Sequence, residues 1–221
     1  MALLTGRTLV VVDIETTGFE PQKGDEVVEV ACVVIENGAA AGEWSSLVRP
    51  SRPIPKDASA IHGITDDMTA SAPAAADVAA ALRARCGDHF LAFHNAMFDL
   101  AFLRALMRGA GQPPLLSPVL DTLGLARGLF GPGGNSLGSL ARKLALPFET
   151  SHRALGDART TSRALPLLAE QWEKERGASS LEELAAASLD QVRLTRRTRP
   201  GFMAGGAPPG PAPGPFAGLP G

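Results

Sequence analysis

Cysteine, long apolar runs and excess positive charge are all scarce in this chain of 221 residues, and each scarcity excludes a class of protein. The two cysteines, Cys32 and Cys86, have no metal-type spacing, so they predict buried reduced thiols and neither a disulfide nor a zinc site. No stretch approaches the roughly 18 apolar residues that span a bilayer, and Asp13 interrupts the first apolar run too early for a signal peptide. We therefore expect a soluble, cytoplasmic protein with no membrane partner.

The charge of the chain is unevenly distributed. Residues 191–221 contain four arginines and no acid, which leaves 17 of the 21 basic residues against all 23 acidic ones, a balance of −6, in residues 1–190. An acidic globular part disfavours the binding of long nucleic-acid duplexes through a broad electrostatic face. Any contact with nucleic acid would have to be local, and a chain end suits such a contact better than a groove.

Apolar patterning predicts an α/β fold with a mixed sheet flanked by helices. Residues 8–14 and 26–36 form β-branched apolar runs typical of strands, and Asn37-Gly38 predicts a hairpin into a third strand at residues 43–49. Residues 50–71 contain three prolines and are expected to be irregular. The remaining pattern predicts short strands at residues 90–93 and 119–120. It predicts helices at residues 73–85 and 96–109, a helix that follows the strand at 119–120 and ends at about residue 130, and helices at residues 136–144 and 154–176.

Four carboxylates and one histidine occur in three short clusters of the sequence. Asp13 and Glu15 end the first predicted strand, Asp99 opens a predicted helix, and His152 precedes Asp157 by five residues. Carboxylates a few ångströms apart raise one another's pKa and oppose folding, so such a set requires hard cations such as Mg²⁺ or Mn²⁺. Two such ions about 3.5–4 Å apart stabilise both the attacking and the leaving oxygen of a displacement at phosphorus. The clusters predict a two-metal site that cuts phosphodiesters.

The spacing within each cluster fits one shared site. Residues i and i+2 of a strand point to the same face, so Asp13 and Glu15 can reach one metal pair. His152 and Asp157 converge only if His152 lies in a loop and Asp157 lies in the first turn of the following helix. Each cluster alone has an ordinary interpretation, since an acid near a helix N-terminus also complements the helix dipole. Their occurrence together favours the metal site.

The chain resembles the DnaQ-like (DEDDh) 3′–5′ exonucleases in three motifs that follow the family's order: Asp13-Ile14-Glu15-Thr16-Thr17-Gly18, His94-Asn95-Ala96-Met97-Phe98-Asp99 and His152-Arg153-Ala154-Leu155-Gly156-Asp157-Ala158. Two shorter stretches resemble the proofreading epsilon subunit of bacterial replicative DNA polymerase: Ile61-His62-Gly63-Ile64-Thr65 and Asn135-Ser136-Leu137. The resemblance covers about residues 7–176. It implies an RNase H-like fold, two Mg²⁺ or Mn²⁺ ions and stepwise release of 5′-mononucleotides from a 3′ end.

The resemblance also implies a role for each site residue. Three acids would hold the metals, a fourth would complete the site partly through water, and the histidine would be the general base; in order, these are Asp13, Glu15, Asp157, Asp99 and His152. An imidazole can accept a proton from water at neutral pH, which supports the last role independently. Four further residues match positions where the family grips the terminal nucleotide: Thr16, Ile61, His62 and Phe98. Asp57 is a weaker candidate for contact with the nucleotide. Phe98 could equally well be an aromatic residue of the core.

These inferences predict a 3′–5′ exonuclease that acts on single-stranded DNA ends, with proofreading beside a DNA polymerase subunit as one role. Two alternatives stay open: an RNA-trimming, oligoribonuclease-like enzyme, and an inactive nuclease-fold module that binds partners. Discrimination between DNA and RNA depends on contacts to the sugar 2′ position, which a sequence does not reveal.

The chain is expected to divide into three parts: an exonuclease domain at residues 1–178, a short helix and basic linker at residues 179–199, and a disordered tail at residues 200–221. A capping box, Ser180-Leu181-Glu182-Glu183, predicts the short helix. Proline and glycine make up 14 of the 22 tail residues, and such a composition cannot build a core. No convincing clamp-binding segment stands out in this tail, where the resemblance would place attachment to a polymerase.

Overall fold

A computed structural model describes residues 2–147 and 152–197, with side chains described up to Gln191. Its centre is a five-stranded sheet in the order β3-β2-β1-β4-β5. The strands are β1 (Thr8–Thr16), β2 (Val27–Glu36), β3 (Ala39–Leu47), β4 (Phe90–Phe93) and β5 (Val119–Asp121). The first three pair antiparallel, whereas β4 pairs parallel with β1 and β5 pairs parallel with β4. The predicted mixed sheet with an antiparallel start is therefore present.

Eight helices surround the sheet within the described residues. They are α1 (Lys56–His62), α2 (Asp66–Thr69), α3 (Ala75–Cys86), α4 (Ala96–Gly109), α5 (Thr122–Phe130), α6 (Leu137–Lys143), α7 (Ala154–Arg176) and α8 (Leu181–Arg197). The helices α1 and α2 lie in the segment predicted to be irregular. The prolines obscured the pattern there, but α1 starts directly after Pro55, where a proline does not interrupt helical hydrogen bonds.

The two faces of the sheet build two apolar layers. Because successive residues of a strand point to opposite faces, Leu9 and Val11 of β1 pack with α5 to α8, whereas Val10 and Val12 pack with α3 and α4. Cys32 and Cys86 are free and buried, as predicted. Pro166 lies inside α7, which runs as one helix and not as two abutting ones. No helix in the described ranges is both long and apolar enough to cross a membrane.

Helix α8 is longer than the short helix expected from the sequence, with 17 residues. Its buried Leu181 and Leu184 belong to the layer formed by α5 to α8. Ser188 accepts a 3.0 Å hydrogen bond from the backbone N–H of Asp121, so α8 satisfies a group at the edge strand β5. The folded unit therefore continues past residue 178, and the predicted tail at residues 200–221 lies outside the described residues.

Candidate active site

Three of the predicted site acids meet where β1 ends. Asp13 and Glu15 continue the face of β1 that begins with Leu9 and Val11, and α7 covers that face. Asp157 lies in the first turn of α7. One carboxylate oxygen from each of the three acids lies within 4.8 Å of the others. The alternation of the strand and the start of one helix thus place three carboxylates around a common point.

The fourth acid, Asp99, lies in the first turn of α4 and is only 4% exposed. The turn before α4 places Asn95 in the left-handed region, with φ of 77°. The buried carboxylate of Asp121 holds this turn, because it accepts hydrogen bonds from the backbone N–H groups of Asn95 at 2.9 Å and Ala96 at 3.0 Å. Asp121 is thus a structural acid beside the site that the sequence reading did not single out.

Burial and neighbouring carboxylates raise the pKa of three acids in the cluster. Burial raises the pKa of Asp13 well above its ordinary value, and the charges of Asp99, Asp157 and Glu15 raise it further. Burial is also the main reason why the pKa of Glu15 rises to about 8. For Asp99, burial raises the pKa well above its ordinary value although backbone N–H groups oppose the shift. Convergent oxygen ligands with unbalanced charge fit a hard divalent cation.

A fifth acid beside the cluster, Glu29, was not singled out from the sequence. It lies opposite Glu15 in the β1–β2 ladder and is 4% exposed. Its carboxylate binds Arg153 through two contacts, Nε to Oε2 at 3.0 Å and Nη2 to Oε1 at 2.6 Å, and accepts the backbone N–H of Ala154 at 3.0 Å. The available signal was a charged residue that interrupts the apolar run from Val27 to Ile35 of β2.

His152 lies in a loop before a helix, as its spacing from Asp157 requires. It is exposed and lies in the loop two residues before α7, while Asp157 lies in the first turn of that helix. This arrangement leaves the imidazole accessible to water.

A cavity of about 470 Å³ adjoins the acid cluster at Glu15, which lines it. Its lining includes all the residues predicted to grip a nucleotide: Thr16, Ile61, His62, Phe98 and the weaker candidate Asp57. The backbone N–H of Ile64 donates to Nδ1 of His62, at 3.0 Å, so the ring proton of a neutral imidazole lies on Nε2. Burial lowers the pKa of His62, which favours this neutral form.

Two aromatic rings define one wall of the cavity. Phe98 packs against the core residue Phe102, with centroids 5.1 Å apart, and also lines the cavity, so both interpretations of Phe98 hold. Phe19 lies 6.3 Å from Phe98 between centroids and is 62% exposed. Phe19 was not predicted to contact the nucleotide, although an aromatic residue directly after the Thr-Thr-Gly turn was an available signal.

A mixed sheet with convergent carboxylates at the end of its central strand, next to a cavity with aromatic walls, defines a metal-dependent nuclease. The model of the RNase_T family, described as "Exonuclease", matches residues 10–165. The chain also aligns with the structure of Exonuclease X in complex with 5′ overhanging duplex DNA, at 30% identity and a TM-score of 0.65, over 81% of this chain and 99% of that one. This chain belongs to the RNase_T exonuclease family.

Longer relatives share the same region. A DNA polymerase III subunit epsilon-like protein of Rhodobacter capsulatus is 45% identical over 198 residues, which are 86% of this chain and 27% of the relative. The PolC-type DNA polymerase III of Thermotoga maritima is 36% identical over 177 residues, 80% of this chain and 13% of the relative. The chain thus spans about a quarter or less of these relatives' length.

Comparison of folds agrees with the family. Escherichia coli Exonuclease I in complex with a dT13 oligonucleotide superposes with a TM-score of 0.68 at 18% identity, over 77% of this chain and 43% of that one. The predicted RNase H-like mixed sheet and the resemblance to the DEDDh exonucleases are confirmed.

Proposed function

We propose that this chain is a 3′–5′ exonuclease that releases 5′-mononucleotides from single-stranded DNA ends. The observation that carries the proposal is the meeting of Asp13, Glu15 and Asp157 within 4.8 Å beside the cavity lined by Phe98. The acids offer the ligands of a phosphodiesterase, and a cavity of about 470 Å³ next to them suits one terminal nucleotide.

The four acids form the proposed metal site. Asp13, Glu15 and Asp157 would hold two Mg²⁺ or Mn²⁺ ions, and Asp99 would complete the site from the start of α4. Bound ions would supply charge stabilisation for the oxygens that attack and leave the phosphorus. The raised pKa values of Asp13 and Glu15 support this role, because a bound cation would stabilise the charged forms that burial and neighbouring acids disfavour.

His152 would act as the general base. A ring nitrogen accepts the proton of a water molecule as the water oxygen attacks the phosphorus of the terminal phosphodiester. The bond to the 3′ oxygen of the upstream nucleotide then breaks, and the terminal unit departs as a 5′-mononucleotide. The exposed loop before α7 gives His152 access to this water.

The cavity residues would hold the terminal nucleotide. His62 lines the cavity, and the ring N–H at Nε2 of its neutral form can donate to the nucleotide. Base stacking on aromatic rings depends little on sequence, so Phe98 with the neighbouring Phe19 suits an enzyme that removes any base. Thr16 and Ile61 line the same cavity and would fix the sugar and the base.

DNA is the favoured substrate, because the relatives named above are a DNA polymerase III subunit epsilon-like protein and a DNA polymerase III. The same names support a role in proofreading beside a polymerase subunit. An RNA-trimming enzyme is the second candidate, and the acids and cavity fit it equally well. A complete acid set argues against an inactive binding module, since such a module has no use for an uncompensated cluster.

Parallel digestion of matched 3′-labelled DNA and RNA oligomers, with and without a terminal mismatch, tests the proposal. We expect Mg²⁺-dependent release of labelled 5′-mononucleotides from DNA, lost in Asp13→Ala and retained in the control Asp88→Ala, which removes an exposed acid. Faster digestion of RNA would favour the second candidate. Equal release by wild type and Asp13→Ala would overturn both.

A further inference from the structure

The start of α7 is held by another part of the chain. The first N–H groups of a helix have no partner within the helix, and Arg153 at the N-cap makes no capping bond with its own side chain. Glu29 of β2 supplies the missing acceptor, because its Oε2 binds the N–H of Ala154 at 3.0 Å. A carboxylate at this end also complements the helix dipole.

Both oxygens of Glu29 are occupied. Oε1 accepts from Nη2 of Arg153, and Oε2 accepts from Nε of Arg153 and from Ala154. Both carboxylate oxygens of Glu29 are therefore engaged in protein contacts. A planar guanidinium that meets a carboxylate through two bonds fixes orientation as well as distance.

Arg153 and Ala154, the two residues that Glu29 binds, lie between His152 and Asp157 in the sequence. His152 directly precedes Arg153, and Asp157 lies three residues after Ala154 in the same first turn. The geometry points to the Glu29–Arg153 pair as a positioning device that fixes His152 and Asp157 relative to the acids of β1. The pair would act through His152 and Asp157, and the inference rests on the proposed exonuclease function for its activity readout.

A second ion pair on the same helix provides a matched control. Arg159 binds Glu43 of β3 with the same two-bond geometry, Nε to Oε2 at 2.9 Å and Nη2 to Oε1 at 2.6 Å. Glu43 is exposed, and its strand β3 lies at the sheet edge, separated from β1 by β2. Loss of this pair removes an equivalent link between α7 and the sheet without releasing the start of α7.

The test compares Arg153→Ala, Arg153→Lys and Arg159→Ala in the whole chain. Four quantities are measured for each: kcat and KM on 3′-labelled single-stranded DNA, the Kd of Mn²⁺, and the Tm. We expect Arg153→Ala to lose about 10–100-fold in kcat or in Mn²⁺ affinity with little change in KM, as is typical when a residue that orients metal ligands is removed. Arg153→Lys should recover part of the loss, and Arg159→Ala should behave as wild type in both quantities.

A double variant separates positioning from stability. If Arg153 acts through His152, then Arg153→Ala costs less in a His152→Ala background than in wild type. Equal kcat and Mn²⁺ affinity in Arg153→Ala and Arg159→Ala would overturn the inference, and if Arg153→Ala fails to fold, Arg153→Lys serves in the same comparison. The two proposals can also fail separately. If the wild type releases no nucleotide, but Mn²⁺ affinity falls in the Arg153 variants and not in Arg159→Ala, the proposed function is overturned and the positioning role of the Glu29–Arg153 pair is supported.

Discussion

Glu15 and Glu29 lie directly opposite each other in the antiparallel ladder of β1 and β2. Like charges at opposed positions destabilise a sheet, so each member of the pair needs its own compensation. Arg153 provides it for Glu29, whereas Glu15 has a pKa raised to about 8 by burial first and then by Asp157 and Glu29. Although Arg153 opposes this shift, the pKa of Glu15 stays raised, as expected for an acid whose charge a bound cation would offset.

The first prediction concerns pH in the absence of metal. The folded-state pKa of Glu15, about 8, lies above its ordinary value of 4.5, so the folded state binds the proton more tightly. The stability from this group is complete below about pH 4.5 and is lost as the pH rises towards 8. Chelator-treated protein should therefore unfold at decreasing urea concentration across this range, with a weaker dependence in Glu15→Gln. An equal or stronger decline in Glu15→Gln would contradict the assignment.

Metal binding should release protons for the same reason. Mn²⁺ binds the ionised carboxylates, so its affinity should rise as the pH approaches 8. Titration calorimetry in buffers of different ionisation enthalpy measures the protons released per ion. Binding without proton release at about pH 6 would show that the acids are already ionised.

Replacement of the proposed base separates proton transfer from metal binding. His152→Ala should lower kcat by roughly 10²–10⁴-fold and leave the Kd of Mn²⁺ largely intact, because an exposed imidazole outside the acid cluster is not a ligand. His89→Ala, which removes another exposed histidine, is the matched control and should remain fully active. Single-turnover kinetics with 3′-labelled DNA give the comparison. A fully active His152→Ala enzyme would rule out the role.

Substrate contacts at the cavity wall can be tested on a residue that contributes little to the core. Phe19→Ala should weaken binding of single-stranded DNA by about 1–3 kcal/mol, the usual contribution of one stacked base, without lowering the Tm. Leu116→Ala removes an apolar side chain that is 86% exposed and should change neither quantity. Fluorescence anisotropy in Ca²⁺ measures binding with little hydrolysis. Unchanged affinity in Phe19→Ala would exclude stacking on this ring.

The close approach of α5 and α8 predicts a stability effect at Gly124. A Cβ at this position would overlap the backbone carbonyl oxygen of Ser188, so the two helices would have to separate. Gly124→Ala should destabilise the fold by about 1–3 kcal/mol or more in urea unfolding. Gly109→Ala, in a helix with open space at its Cβ, should be neutral or stabilise by up to about 1 kcal/mol. A neutral Gly124→Ala would show that α8 is not held tightly against α5.

The sequence predicted those features that depend on local spacing. Asp13 and Glu15 share a face because they are two residues apart in a strand, and His152 had to precede a helix that Asp157 opens. The Glu29–Arg153 pair joins residues 124 positions apart, and no local pattern encodes that distance. The packing of α8 escaped prediction for the same reason, because it depends on Gly124 and Ser188 meeting across the fold.

Anomalous diffraction from a crystal of this protein soaked in Mn²⁺ would show directly whether the acid cluster binds two ions. We expect two peaks about 3.5–4 Å apart, within coordination distance of Asp13, Glu15 and Asp157 and near Asp99. An Asp13→Ala crystal soaked in the same way should lose at least one of the two. The absence of any peak between these carboxylates at a saturating concentration of Mn²⁺ would rule out the metal site.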